Sequence, residues 1–173
     1  MSAIDEALRA NQAYAKEFHS ANVYMPPRRK LIVITCMDSR LMPDQMLGFG
    51  IGDAHVIRNA GGLATDDALR SLIISHHLLG AAEVMIINHT DCGMLTFTDE
   101  TLRQQLQAST GATPQSPACF LTFGDLEANV RRQVAKVRSH PWIPQSVRVR
   151  GFIYDVRKGE LNEVSARAQE ACA

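Results

Sequence analysis

Three short apolar runs constrain this 173-residue chain more than any other feature. Leu31-Ile32-Val33-Ile34-Thr35 and Glu83-Val84-Met85-Ile86-Ile87-Asn88 are rich in β-branched residues and do not alternate between apolar and polar positions. Such runs predict strands covered on both faces, the habit of a parallel sheet between helices. Ala54-His55-Val56-Ile57-Arg58 predicts a further strand, with a turn at Gly61-Gly62 just beyond it. Between these runs Thr65 is an N-cap, Asp66 and Asp67 sit where the helix dipole favours acids, and Gly80 is a stop. Ala68, Leu69, Leu72, Ile73, His76 and Leu79 recur at helical spacing between those ends.

The flanks complete the outline. Residues 4–20 carry Ile4, Ala7, Leu8, Tyr14, Ala15 and Phe18 at amphipathic spacing and predict a helical arm that Pro26-Pro27 ends. Residues 98–108 and 125–139 predict two more helices, separated by a loop rich in Ser, Thr, Gly and Pro from Ser109 to Pro117. Val147–Val156 predicts a strand broken at Gly151, then a turn, a short strand over Leu161–Val164 and a helical tail. The expected fold class is α/β: one domain over 1–173, a mostly parallel central sheet flanked by helices, an N-terminal arm over 1–27 and a C-terminal antiparallel edge.

Composition removes several function classes. Lys+Arg and Asp+Glu both number 18, so no excess of positive charge exists to neutralise nucleic-acid phosphates. No apolar stretch reaches the roughly 18–20 residues that span a bilayer, and no membrane partner is expected. The N-terminal stretch is charged and lacks the apolar segment of a signal peptide, which points to the cytoplasm. Four cysteines in such a chain are then thiols rather than a disulfide framework. Cys119 and Cys172 receive no role.

The chemistry lies at the ends of two of the runs. Cys36-Met37-Asp38-Ser39-Arg40 follows the first, and His89-Thr90-Asp91-Cys92-Gly93 follows the third. In a parallel sheet the carboxyl ends of the strands share one rim, so these distant segments can meet. Two thiolates and an imidazole, Cys36, Cys92 and His89, make a zinc ligand set that leaves a fourth position open, as catalytic sites do. Two thiolates cancel the charge of the ion and weaken its pull on bound water, so help from neighbours is required. Asp38 can orient that water, and Arg40 can hold the carboxylate by a bidentate pair. Taken singly, each piece has a plain structural reading: a strand-end thiol, a helix-start cap, a tight turn at Gly61-Gly62. The joint pattern is what carries the inference.

These segments, with Arg58-Asn59-Ala60-Gly61-Gly62 between them and a closing Val-x-Gly-x-x-Tyr-Asp-Val-x-x-Gly over Val149–Gly159, resemble the β-class carbonic anhydrases, and in length the compact subgroup. The resemblance implies one Zn2+ per chain on Cys36, His89 and Cys92, an Asp38–Arg40 dyad, and a substrate pocket lined near Gly61 and Gly62. It implies reversible hydration of carbon dioxide to bicarbonate and a proton by zinc-bound hydroxide. It also implies a closed state in which Asp38 takes the fourth metal position, and a homodimer or higher homo-oligomer in which the N-terminal helix packs on a neighbour. Trp is absent from the position three before the first ligand, where Val33 stands, so bicarbonate regulation of the kind that uses it is not expected.

The nearest rival keeps the zinc site and changes the substrate to carbonyl sulfide or carbon disulfide, with Met37, Met42, Leu47 and Phe49 as candidate neighbours. A thiol phosphatase would need five residues between Cys36 and its Arg, where three stand. Phosphate loops of the G-x-G-x-x-G or G-x-x-x-x-G-K-[ST] kind are absent. A purely structural zinc domain would need a fourth protein ligand, for which Cys119 or Asp38 are the candidates. His55, His76 and His77 are left outside the site.

Overall fold

The computed structural model describes residues 1–19, 23–113 and 116–165. Among the described residues five strands form one sheet in the order β2-β1-β3-β4-β5: β1 (Leu31–Cys36), β2 (Ala54–Asn59), β3 (Glu83–His89), β4 (Arg148–Asp155) and β5 (Glu160–Val164). The first four are parallel, and β5 returns antiparallel to β4 at the edge. β1 and β3 are neighbouring interior strands. Ile32, Val33, Ile34, Val84, Ile86 and Ile87 are almost wholly buried, which is why their sequence runs do not alternate. β2 lies at the other edge and is only half covered.

Helices α3 (Asp66–Leu79) and α5 (Leu126–Arg138) supply the main core with Leu69, Leu72, Val130, Val134 and Val137. The Thr65 hydroxyl accepts from the Ala68 N–H, and Gly80 ends α3 in the left-handed conformation. α4 spans Asp99–Thr110. Two short elements had no sequence signal: α2 (Pro43–Leu47) and a 3-10 turn at Gly93–Leu95.

Gly151 does not break its strand. β4 runs through it, and a Cβ there would stand 2.4 Å from Val130 Cγ1 and 2.8 Å from Val134 Cγ2. The residue is glycine because α5 packs directly on the strand. The N-terminal helix, α1 (Ala3–Lys16), is shorter than its periodicity suggested and buries no residue. Pro27 is buried, and the Arg28 N–H donates to the Gly52 carbonyl, so the chain has joined the body by that point. The expected helical tail, and Cys172 with it, lies outside the described residues. No helix among the described residues is long and apolar enough to cross a membrane.

Candidate metal centre

The site is built at the carboxyl ends of β1 and β3. Cys36 is the last residue of β1 and His89 the last of β3. Cys92 follows a turn in which Asp91 takes a positive φ of 56°, a conformation that Asp tolerates better than most residues. One donor atom from each of Cys36, His89 and Cys92 falls within a cluster in which all lie within 4.8 Å of one another, and all three residues are buried.

The imidazole tests whether a metal fits. His89 Nδ1 lies 2.9 Å from the Thr90 carbonyl oxygen. A carbonyl only accepts, so Nδ1 carries the hydrogen and neutral His89 presents a lone pair at Nε2. Nε2 is fully buried and has no hydrogen-bond partner among the described residues. A buried polar atom is seldom left so. A cation held by Nε2 and two sulfurs would satisfy it, and the donor set is that of zinc.

The thiols divide their protons unequally. A hydrogen bond from Cys92 pulls Cys36 down to about 4 against the effect of burial, and the neighbouring His89 imidazole and the N–H groups of Asp38 and Gly61 also favour the thiolate. Gly61 N stands 3.4 Å from Cys36 Sγ. Cys92 is pushed up by its hydrogen bond to Cys36 and by burial. Burial pulls His89 down, and the adjacent Cys36, the Thr90 carbonyl and Asp38 outweigh it and raise its pKa.

Asp38 stands beside this cluster, its Oδ2 3.8 Å from His89 Nε2. Arg40 grips it bidentately, Nε to Oδ1 at 3.0 Å and Nη2 to Oδ2 at 2.8 Å, while the Arg40 backbone N–H also donates to Oδ1. The Arg40 side chain is the chief reason the Asp38 carboxyl lies well below the usual carboxylate range. Arg40 also reaches Asp91, through Oδ2 at 2.7 Å and the carbonyl at 2.9 Å, which ties the two motif loops together. Arg58 donates to the carbonyls of Cys36 and Asp38 and fixes the first loop from the side of β2. Neither Asp91 nor Arg58 was singled out as a site residue. The signal for Arg58 was its position at the end of the second predicted strand.

A cleft of about 370 Å³ opens onto the two thiols. Met37, Ala60, Met94, Phe97 and Phe120 give it apolar walls, and Asp38 is the one charged residue that lines it among the described residues. Gly61 also lines it, whereas Gly62 stands behind, against the backbone of β1 and β3. Met42, Leu47 and Phe49 do not line the cleft. Leu47 and Phe49 pack on the opposite cluster around Val33, Ile87 and Phe152, because α2 turns the chain away after Arg40. His55, His76 and His77 are engaged elsewhere, with Ser75 Oγ, the Ala81 carbonyl and the Trp142 carbonyl. Cys119 is exposed and outside the cluster.

Fold and site together define an α/β protein with a buried two-cysteine, one-histidine cluster able to hold a metal ion, at the carboxyl ends of neighbouring parallel strands. Residues 31–161 match the family model described as carbonic anhydrase. The chain belongs to the β-carbonic anhydrase family, whose members are metalloenzymes. It is 42% identical to beta-carbonic anhydrase 1 of Mycobacterium tuberculosis over 166 residues, covering 95% of this chain and 99% of that one. It is 38% identical to a carbon disulfide hydrolase of Acidithiobacillus thiooxidans, covering 84% of this chain and 82% of the relative. A crystal structure of carbonic anhydrase from Streptococcus mutans superposes with a TM-score of 0.90 at 41% identity, over 95% of this chain and 99% of the other.

Proposed function

We propose that this chain is a zinc lyase, a carbonate dehydratase, which interconverts carbon dioxide and water with bicarbonate and a proton. The observation that carries the reading is the Cys36, His89 and Cys92 donor cluster, with the orphaned His89 Nε2, beside an apolar cleft that its two cysteines line. One zinc ion held by those three residues would leave a coordination position for water and supply the Lewis acidity that makes water a nucleophile near neutral pH.

The remaining work belongs to the chain. Asp38, kept ionised by Arg40, is an acceptor at the edge of the cluster and orients a water molecule through its proton. Arg40 also restrains the carboxylate from taking a metal position itself. Thr90 holds the His89 ring through Nδ1 and fixes its tautomer. The Gly61 N–H on Cys36 Sγ withdraws charge from the thiolate and so favours a more acidic metal centre. Met37, Ala60, Met94, Phe97 and Phe120 offer a linear nonpolar gas a site that bulk water leaves readily.

The same walls suit carbonyl sulfide and carbon disulfide, and the likeness to carbon disulfide hydrolases favours this as the second reading. Stopped-flow hydration of carbon dioxide on zinc-loaded protein, across pH, run beside hydrolysis of both sulfur gases, tests the choice. A carbon dioxide rate far below the sulfide rates would reverse it. We further propose a cytoplasmic homodimer, or a larger homo-oligomer, with α1 as the arm that packs on a neighbour. Ile4, Leu8, Tyr14 and Phe18 are 72%, 58%, 53% and 44% exposed, an apolar stripe that an isolated protomer leaves in water. Deleting residues 1–19 should lower the mass measured by light scattering to that of a monomer, and an unchanged mass would refute the arm.

A further inference from the structure

The turn that brings the Gly61 N–H to Cys36 is held by a closed chain of side-chain amides, two of them buried, that the reaction itself does not use. Asn88 and Asn129 are each 1% exposed. Asn88 Nδ2 donates to the carbonyls of Gly61 and Gly62 at 2.9 and 3.1 Å. Asn88 Oδ1 accepts from Asn129 Nδ2 at 2.8 Å. Asn129 Oδ1 accepts from Gln133 Nε2 and Arg132 Nη2, both at 3.0 Å. Gln133 Oε1 then accepts from the Ala64 N–H at 3.0 Å. The chain leaves the turn at its two glycine carbonyls, crosses to α5 and returns two residues after the turn.

The polarity of every amide in this circuit is forced. A glycine carbonyl can only accept and the Ala64 N–H can only donate, so each of the three side-chain amides has one permitted orientation. Reversal of any one sets acceptor against acceptor. Buried amides are expensive unless fully paired, and apolar residues of the same size would serve stability as well. Full pairing in a fixed direction serves position instead. The turn needs it because Gly61 and Gly62 take successive positive φ values of 81° and 63°, with both carbonyls turned to the buried Asn88 amide.

We infer that Asn88 and Asn129 are positioning residues for the metal centre: through this amide circuit α5 holds the Gly61-Gly62 turn so that the Gly61 N–H stays on Cys36 Sγ. The inference rests on the zinc reading above. Asn129 and Gln133 are the informative positions, since Asn88 adjoins the ligand His89. Zinc affinity is measured by chelator competition, and the sulfur-to-cobalt charge-transfer band is recorded on the cobalt-substituted protein. Asn129→Ala should lower zinc affinity about tenfold and shift the band, as loss of a partner behind a metal ligand does. Gln133 is partly exposed, so Gln133→Ala folds more readily and should move both readouts in the same direction by a smaller amount. Val137→Ala, a truncation in the core face of the same helix, should destabilise the protein and leave both readouts unchanged.

Zinc affinities within twofold of wild type and unmoved bands in both Asn129→Ala and Gln133→Ala would overturn the inference while the zinc reading stands. A purely structural role would give Val137→Ala and Asn129→Ala the same profile, which also overturns it. Wild-type protein that binds no zinc would instead remove the metal centre and the inference with it.

Discussion

Gly62→Ala should be among the most damaging single-methyl additions in the molecule, and the reason is geometric. Gly62 has φ +63°, where an L side chain is strained by about 1–2 kcal/mol. Its Cβ would stand 2.9 Å from Cys36 N, Ile87 O and the Thr35 carbonyl carbon. All three are main-chain atoms of the paired strands β1 and β3, so no rotamer change relieves the contact. Forcing extra volume into such packing costs about 1–3 kcal/mol more. The expected total is therefore about 2–5 kcal/mol. Gly61→Ala is the internal comparison. There the nearest atoms are Phe123 Cε1, Met94 Cγ and Leu63 Cγ at 3.0 to 3.4 Å, side chains that can give way, although φ is +81°. Its loss should be about 1–2 kcal/mol. Urea unfolding followed by circular dichroism, on metal-free protein at one fixed concentration, reads both without linkage to metal and with the contribution of assembly held constant. With a urea slope of about 2 kcal/mol/M, Gly62→Ala should lower the midpoint by about 1–2.5 M. A loss under about 0.5 kcal/mol at Gly62, or a larger loss at Gly61 than at Gly62, would refute the claim that strand backbones close that site.

Removing a donor should empty the centre: Cys36→Ser, His89→Ala and Cys92→Ser should each abolish hydration activity and bring zinc content, by atomic emission, close to zero. Asp38→Ala should keep its zinc and lose about 10- to 100-fold in rate, as expected for a group that acts on a metal centre without ligating it; a rate equal to wild type would remove Asp38 from the mechanism. Zinc uptake should release protons. The Cys92 thiol, pushed up by Cys36 and by burial, stays protonated through neutral pH in the metal-free protein and must ionise to ligate. Apparent zinc affinity should therefore rise with pH, about tenfold per unit for each proton displaced. Calorimetry in buffers of different ionisation enthalpy counts those protons, and a count of zero would contradict the thiol state described here.

Much of this protein was open to reading residue by residue. The unalternating runs at 31–35 and 83–88 are buried on both faces because they are neighbouring interior strands of the sheet. A buried strand has no solvent side to imprint a period of two on its sequence, so the run itself declares a parallel sheet. Once the sheet is parallel, Cys36 and His89 fall at one rim, and the Cys-x-Asp-x-Arg and His-x-x-Cys spacings do the rest.

Relations between distant segments were a different matter. Gly151 looks like a strand breaker in the sequence, and only the closeness of Val130 and Val134 explains it as a seat for α5. The cleft walls come from Met94, Phe97 and Phe120, not from Met42, Leu47 and Phe49, because the turn into α2 is set by packing and not by hydropathy. Asn129 and Gln133 look like ordinary polar positions on an amphipathic helix until Asn88 and Ala64 are seen across from them. Strand identity and ligand type are local: propensity, burial pattern and donor chemistry are written in neighbouring residues. Which side chain faces which across 41 to 69 positions of sequence depends on how the helices seat on the sheet, and that is decided by the packing of the whole chain.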